Sequence, residues 1–371
     1  MLANKIKINL LLSPFSFFYG IGVAIRNKLF DWNLLSVEQF PVPVICVGNL
    51  SVGGTGKTPH TEYLIQLLRK RYKIAVLSRG YKRKTKGFIL ARPDNTSLDI
   101  GDEPYQIYLK FPDILVAVDA DRKHGISSLL SLAEGIRPEV ILLDDAFQHR
   151  YVTPSFSIVL TTLARPFYND KLLPYGRLRE SAHGVSRADA VIVTKCEKEL
   201  KPLDYRIIEK NMQLTPHQKV FFTSIDYGEI KPIYSDNAEA WSLLDIRRDD
   251  SVLLVAGIAS PELFVNKIKQ YTHNIQSIFY PDHHTFSTQD IEDIENKFAS
   301  IKSLGKLIIV TEKDAARLKN NPDTPENLKK ALYYLPIAVK FHARSSEDFD
   351  DMILKHVHFF QRDNKIRNKY E

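Results

Sequence analysis

Short apolar runs alternate with helical patterns along the first part of the chain. The helical patterns lie at about residues 59–71 and 125–132, and the apolar runs read VPVICVGNL, KIAVLSRG, DILVAVD, EVILLDDA, FSIVLTT and DAVIVTK. These runs are continuously apolar instead of alternating with polar residues, which is typical of strands covered on both faces. The pattern therefore predicts an α/β fold built on a parallel sheet.

A second series of the same kind follows towards the C-terminus. It begins with SVLLVAGI, continues through a helical pattern near residues 261–271, and ends with QSIFYPDHH, KLIIVTEKD and IAVKFHAR. The intervening KVFFTSIDYGEIKPIY is extended and broken by turn residues, so it predicts a linker near residue 230. We predict a larger domain over residues 29–225 and a smaller α/β domain over residues 226–371. The charged HFFQRDNKIRNKYE is expected to be a frayed or surface end.

The most apolar segment is LLLSPFSFFYGIGVAI, which lies without charge between Lys7 and Arg26. A membrane-spanning helix needs roughly 17–25 apolar residues, and this run is shorter and contains Pro14, Gly20 and Gly22. The flanking cations fit anionic lipid headgroups, so residues 1–28 are predicted to form a membrane-associated helix in the interface. A buried helix packed on the main domain would use the same aromatic residues and stays an alternative.

The composition adds a modest positive charge and few cysteines. The chain has 371 residues, 51 Lys and Arg against 44 Asp and Glu, a formal charge of +7, and two cysteines. Two cysteines are too few for a disulfide scaffold, which favours a reducing compartment. The charge fits a nucleotide, an anionic substrate or a membrane surface equally well. Because no stripe of clustered basic residues with interleaved aromatics is evident, we expect no nucleic-acid partner.

A glycine-rich loop follows the run VPVICVGNL and precedes a helical pattern. Its residues are Ser51, Val52, Gly53, Gly54, Thr55, Gly56, Lys57 and Thr58. Glycines let backbone N–H groups point at phosphate oxygens, and the helix N-terminus adds partial positive charge. In this motif Lys57 reaches the β- and γ-phosphates and Thr58 presents a hydroxyl to Mg²⁺, although Ser51 stands where the general motif has glycine. The loop predicts an ATP site of the phosphate-loop NTPase type.

Two adjacent carboxylates end another buried run. Asp144 and Asp145 close the sequence VILLDD, and carboxylates at the C-terminal end of a strand suit a hard, oxygen-seeking cation. Together with Thr58 they form a candidate Mg²⁺ site beside the phosphate loop. Capping of the next helix is the alternative role for Asp144.

Six blocks of sequence carry a more specific pattern. They are GNLSVGGTGKTP at residues 48–59, SRGY at 78–81, GDEP at 101–104, DDAFQH at 144–149, LPYGRLRE at 173–180 and DHH at 282–284. Together they resemble one family, the tetraacyldisaccharide 4′-kinases of lipid A biosynthesis, over almost the whole chain. Ser51 agrees with that family's form of the loop, whereas Ala146 stands where the family usually has glycine.

The resemblance implies an ATP-dependent kinase, with Mg²⁺ as cofactor, that phosphorylates the 4′-hydroxyl of a tetraacyldisaccharide 1-phosphate. It also implies a peripheral or monotopic position at the cytoplasmic face of the inner membrane, which favours the interfacial helix. The implied fold is a phosphate-loop domain joined by extended strands to a smaller α/β domain.

The resemblance further implies roles for single residues. Asp102 is the implied catalytic base, and His283 from the second domain is its implied partner. Weaker candidates for substrate contacts are Arg79, Arg122, Gln148, His149, Arg179 and Glu180. Lys195 follows a strand where a nucleotide base could be read, and His284 is assigned no role.

A phosphate-loop switch or partitioning-type ATPase that acts through protein partners is the alternative function. The pair of Asp102 with His283 and the second domain argue against it. Negligible ATP turnover in the absence of a lipid disaccharide would distinguish the kinase from this ATPase.

Overall fold

The computed structural model of the chain describes residues 12–198, 200–234, 241–258, 261–282, 284–319, 321–342 and 345–370, with side chains up to residue 364. Within these residues the chain forms one sheet of nine strands and one sheet of five. The strands are β1 (Val44–Asn49), β2 (Ile74–Ser78), β3 (Ile89–Leu90), β4 (Leu115–Val118), β5 (Val140–Asp144), β6 (Phe156–Thr162), β7 (Ala190–Thr194), β8 (Lys219–Tyr227), β9 (Lys231–Pro232), β10 (Ser251–Ala256), β11 (Ile275–Phe279), β12 (Lys306–Thr311), β13 (Leu332–Leu335) and β14 (Ile337–Phe341).

The larger sheet has the strand order β14-β8-β7-β6-β1-β5-β2-β4-β3. Its inner pairs are parallel, and only the pairs with β3 and β14 at the two edges are antiparallel. The smaller sheet has the order β11-β10-β12-β13-β9, and β9 is its antiparallel edge strand. The predicted α/β fold with parallel sheets is therefore confirmed.

Helices cover both faces of the larger sheet. The helices of the chain are α1 (Ser13–Asp31), α2 (Lys57–Leu68), α3 (Ser97–Ile100), α4 (Asp102–Lys110), α5 (Arg122–Leu130), α6 (Pro202–Met212), α7 (Glu262–Ile268), α8 (Thr288–Ser300), α9 (Glu312–Leu318), α10 (Glu326–Ala331) and α11 (Ser345–Tyr370). Successive residues of β1 belong to two different cores, Cys46 to one and Ile45 and Val47 to the other. Burial on both faces is the reason that the strand sequences are continuously apolar.

The run IAVKFHAR is assigned above to the second series, but its strand β14 (Ile337–Phe341) lies in the larger sheet, so that assignment was wrong. β14 runs antiparallel to β8, with Phe341 opposite Thr223. α11 follows, and its Phe349 and Ile353 pack with Phe341 in a core of the larger sheet. Local apolar patterning shows that a strand forms but carries no information on its distant partner. The boundaries at residues 28 and 225 stay predictions.

The segments at the two junctions also differ in detail from the expectation. The predicted linker is largely β8 in the larger sheet, followed by β9 in the smaller one. The chain therefore passes between the sheets twice, after β8 and again after β13. The charged C-terminal stretch is helical, since α11 extends to Tyr370.

Helix α1 lies against the larger domain through one side. Ser16 Oγ donates to the carbonyl of Leu172 at 2.9 Å, and Tyr19 Oη donates to the carbonyl of Arg179 at 2.7 Å. Its exposed apolar side chains are Phe15, Phe17, Phe18, Ile21 and Ile25. Within the described residues, which begin at residue 12, no helix is long and apolar enough to cross a membrane. The buried-helix alternative does not describe these aromatic side chains.

Candidate active site

The phosphate loop connects β1 to α2. Gly53 and Gly56 have φ angles of +110° and +91°, which glycine adopts without strain. Asn49 Nδ2 donates to Thr55 Oγ1, and Thr194 Oγ1 donates to the Thr55 carbonyl, each at 2.8 Å. The loop is therefore fixed to the ends of β1 and β7 in front of the α2 N-terminus. Such an arrangement of backbone N–H groups binds anions.

The two predicted carboxylates lie beside this loop because β1 and β5 are parallel neighbours, with Val47 opposite Asp144. Asp145 accepts from Arg179 Nη1 at 2.9 Å, and Lys57 Nζ lies 3.7 Å from its Oδ2. Burial works against ionisation of Asp145, but Lys57 and Arg179 outweigh it and lower the pKa of Asp145. Asp145 is therefore a paired carboxylate at the mouth of the loop.

Asp144 is completely buried and differs sharply from its neighbour. Its Oδ1 accepts from Thr61 Oγ1 at 3.3 Å, while its Oδ2 has no hydrogen-bond partner within the described part of the chain. Burial, together with the charges of Glu103 and Asp145, raises the pKa of Asp144 to about 7. A buried carboxylate oxygen without a partner fits a hard cation, which supplies the missing charge.

Among the residues that the structure describes, no group of three or more His, Cys, Asp or Glu side chains could hold a metal ion alone. Mg²⁺ is commonly bound through one or two carboxylates, with substrate phosphates and water as its other ligands. Asp144, Asp145 and the hydroxyl of Thr58 fit that kind of site.

A cavity of about 920 Å³ lies in front of the loop. Residues 52–58 line it, and so do all six weaker substrate candidates, Arg79, Arg122, Gln148, His149, Arg179 and Glu180. α1 contributes Tyr19 and Val23, and the smaller domain contributes Phe264 and Lys313. The cavity thus joins three parts of the molecule, and the structure brings the predicted loop and substrate residues together.

The six substrate candidates differ in how strongly they are already held. Glu180 is buried and accepts from Arg187 at 2.8 Å and from Gln148 at 3.0 Å. Arg122 is almost fully buried, and its Nε has no hydrogen-bond partner within the described residues. Burial and the nearby Arg122 lower the pKa of His149 to about 4, so its ring is neutral at pH 7. Glu180 and Gln148 hold each other in the wall of the cavity by a hydrogen bond. Arg122 presents a buried cationic donor, its Nε, that has no partner among the described residues.

Asp102 is the first residue of α4. Its Oδ2 accepts two hydrogen bonds from Arg317, from Nη2 at 2.7 Å and from Nε at 3.1 Å. Its neighbour Glu103 lines the cavity. The predicted partner His283 lies outside the described residues. His284 pairs with Asp290 at 2.9 Å and has its ring stacked on Tyr280.

Lys195 directly follows β7, as the sequence suggested, and lines the cavity. Its backbone has a φ of +56°, which is uncommon for a side chain of this size. A Cβ placed on Gly54 would lie 3.8 Å from its Nζ, so the amine faces the phosphate loop. Within the described residues this Nζ has no hydrogen bond or ion pair, and burial lowers the pKa of Lys195. The position of Lys195 after a strand predicted a nucleotide contact. The sequence did not predict the left-handed backbone conformation that directs its side chain towards the phosphate loop.

Comparison with known proteins places the chain among kinases of one kind. The family model for tetraacyldisaccharide-1-P 4′-kinase matches residues 8–358. A tetraacyldisaccharide 4′-kinase of Parabacteroides distasonis is 54% identical over 98% of both chains. The protein of the same name from Bacteroides thetaiotaomicron is 51% identical, covering 95% of this chain and 94% of that one.

A solved structure agrees with these sequence matches. The crystal structure of LpxK from Aquifex aeolicus in complex with ATP superimposes with a TM-score of 0.71 at 28% identity. The match covers 93% of this chain and 98% of the other. The chain therefore belongs to the tetraacyldisaccharide 4′-kinase family.

Proposed function

We propose that the chain transfers the γ-phosphate of ATP to the 4′-hydroxyl of a tetraacyldisaccharide 1-phosphate, a precursor of lipid A. One observation carries the proposal most strongly. The phosphate loop, the paired Asp145 and the six substrate candidates surround one cavity that the smaller domain helps to enclose. Phosphoryl transfer depends mainly on positioning and charge neutralisation, which such an enclosed site provides.

The nucleotide is proposed to bind with its phosphates at residues 51–58. Lys57 and Lys195 both line the cavity, and Lys195 Nζ faces Gly54, so two positive charges lie near the proposed position of the β- and γ-phosphates. Thr58, Asp144 and Asp145 would hold Mg²⁺, with the unpartnered Oδ2 of Asp144 as the strongest ligand. When bound, Mg²⁺ would supply positive charge that offsets the charge developing on the transferred phosphoryl group.

The acceptor is proposed to lie on the open side of the terminal phosphate. Asp102 would accept the proton of the attacking hydroxyl, with His283 as its partner. Arg79, Arg122 and Arg179 are among the cationic residues of the cavity wall, which suits a phosphorylated sugar. Gln148, His149 and Glu180 also line the cavity. Binding of the acceptor would therefore depend on the contacts that keep these side chains in place, such as the hydrogen bond from Gln148 to Glu180.

The acyl chains of the acceptor need an apolar neighbour, and α1 provides one. Phe17 and Phe18 are 66% and 71% exposed, while Tyr19 and Val23 on the same helix line the cavity. We infer that α1 lies in the surface of the inner membrane on its cytoplasmic side. A lipid could then present its headgroup to the cavity while its chains stay in the bilayer.

The first prediction concerns transfer itself. Wild-type protein with labelled ATP and tetraacyldisaccharide 1-phosphate should give a product phosphorylated at the 4′ position, with little ATP turnover when the lipid is omitted. Lys57→Ala should lower the rate by at least about 100-fold, because it removes charge from the phosphate site. Lys355→Ala, on an exposed ion pair of α11, is the control. Lipid-independent ATP turnover would instead favour a switch-type ATPase.

The second prediction concerns Asp144 and pH. Because its folded pKa of about 7 lies above the ordinary value, the nucleotide-free protein should lose stability as pH rises from about 4 to 7. Asp144→Asn removes that loss, so its melting temperature should exceed the wild-type value increasingly up to pH 7.

Mg²⁺-ATP should reverse the order of the melting temperatures of wild-type protein and Asp144→Asn. Mg²⁺ with ATP should raise the melting temperature of wild-type protein and have little effect on Asp144→Asn, because the variant lacks the charged ligand. Asp113→Asn, at an exposed carboxylate, serves as the control. Equal stabilisation of Asp144→Asn and wild type by Mg²⁺-ATP would remove Asp144 from the metal site.

The third prediction concerns the membrane. The double variant Phe17→Ser, Phe18→Ser should bind vesicles of phosphatidylethanolamine and phosphatidylglycerol at least about tenfold more weakly, since burial of one Phe side chain is worth roughly 1.5–3 kcal/mol. Phe359→Ser, an exposed aromatic of α11, should bind as wild type does. Sedimentation with vesicles measures both. Unchanged vesicle binding of the double variant would argue that this face is not a membrane contact.

A further inference from the structure

Helix α4 of the larger domain packs against helix α9 of the smaller domain, and this is the main contact between helices of the two domains. Oppositely charged residues face each other along this contact. Arg317 lies 2.7 Å from Asp102, Lys313 lies 3.4 Å from Glu103, and Lys110 lies 2.7 Å from Glu312. The start of α4 therefore faces the end of α9, and the two helices run antiparallel. Carboxylates at the N-terminus of α4 are also favoured by its dipole.

Arg317 is fixed by its own domain before it reaches across. Its Nη1 donates to Asp314 Oδ1 at 2.8 Å. Asp314 is completely buried and also accepts from the Gly257 amide at 2.9 Å and from Thr311 Oγ1 at 2.6 Å. The Arg317 guanidinium is therefore hydrogen-bonded to the carboxylate of Asp314, which also links the C-terminal ends of β10 and β12. An arginine held in this way offers its remaining donors in a fixed direction.

The remaining donors converge on one atom. Arg317 Nε and Nη2 both donate to Oδ2 of Asp102, at 3.1 and 2.7 Å. The Arg317 side chain is 5% exposed and that of Asp102 is 21% exposed, so the pair is shielded from water. Two bonds to one oxygen restrict the rotation of the carboxylate as well as its distance. A general base needs this kind of restriction, because proton transfer depends on orientation.

We propose that Arg317 is a positioning residue for phosphoryl transfer. It sets the orientation of the Asp102 carboxylate and ties that orientation to the seating of the smaller domain on the larger one. The inference rests on the proposed role of Asp102 as the base. Arg317 itself does not touch substrate in this account.

The α4–α9 contact does not depend on Arg317 alone. Ala316 of α9 packs in a small core with Ile100, Tyr105 and Val118 of the larger domain. The two lysine pairs of the contact also remain when Arg317 is changed. A variant at position 317 therefore separates the orientation of Asp102 from the attachment of the domain.

The experiment is steady-state kinetics of the full chain with ATP and tetraacyldisaccharide 1-phosphate. Arg317→Ala should lower kcat by about 10- to 100-fold, a part of the 10²–10⁴ typical of acid–base catalysis, with KM for both substrates within about threefold. Arg317→Lys keeps a charged donor and should recover most of kcat. Arg69→Ala removes an exposed pair with Asp113 of similar length and should leave kcat unchanged.

A double-mutant cycle separates positioning from attachment. In the Asp102→Asn background, Arg317→Ala should cost little more, because both changes disable the same step. Multiplicative losses, or a rise of KM alone, would overturn the positioning role. Full activity of Arg317→Ala with an inactive Asp102→Asn would do the same and leave the base in place.

Full activity of Asp102→Asn would instead overturn the proposed base. If circular dichroism shows that Arg317→Ala is unfolded, Arg317→Gln and Arg317→Lys are compared instead, since each side chain keeps one hydrogen-bonding nitrogen. A kcat for Arg317→Gln equal to that of wild type would then contradict the proposal, and a graded loss from Lys to Gln would support it.

Discussion

The site depends on one buried carboxylate that its own protein leaves incompletely paired. Asp144 ends β5, next to the central strand β1 that carries the phosphate loop, and is completely inaccessible to water. Burial raises its pKa to about 7, and its Oδ2 lacks a partner within the described residues. An uncompensated buried charge is costly, so the proposed cation at this oxygen would stabilise the surrounding sheet. The proposed Mg²⁺ and nucleotide therefore complete the structure as well as the chemistry.

The way the chain passes between the sheets sets what can enclose that carboxylate. The chain leaves the larger sheet after β8, builds the smaller sheet, and returns as β14 beside β8. Two crossings and the ion pairs between α4 and α9 hold the smaller domain over the cavity. An enclosed site would exclude water from the proposed phosphoryl transfer, and α1 lines the same cavity through Tyr19 and Val23.

The sequence was informative where chemistry and local structure coincide. Continuous apolar runs identified β1 and β5, and two of the loop glycines, Gly53 and Gly56, have positive φ. Parallel pairing then brought the loop and the carboxylates to one edge, as expected from the carboxyl ends of parallel strands. The predictions that held depend on local sequence, or on the general rule that the carboxyl ends of parallel strands lie at one edge of a sheet.

The features that sequence reasoning missed depend on distant partners. β14 has alternating exposure at a sheet edge, so its strand was evident but not its sheet. Arg317 reads as an ordinary charged residue of a surface helix, and only the contact with Asp102 of the other domain shows its importance. The direction of the Lys195 side chain depends on a left-handed backbone conformation that no sequence motif predicts. The part of His283 stays a prediction, since it lies outside the described residues.

The central claim is that phosphoryl transfer occurs between the phosphate loop and Asp102. The most direct test is a crystal structure of the chain with Mg²⁺ and a non-hydrolysable ATP analogue. We expect the terminal phosphate beside Lys57, the metal on Asp144 Oδ2, and the Asp102 carboxylate facing the open side of that phosphate. A nucleotide bound elsewhere, or a terminal phosphate turned away from Asp102, would contradict it.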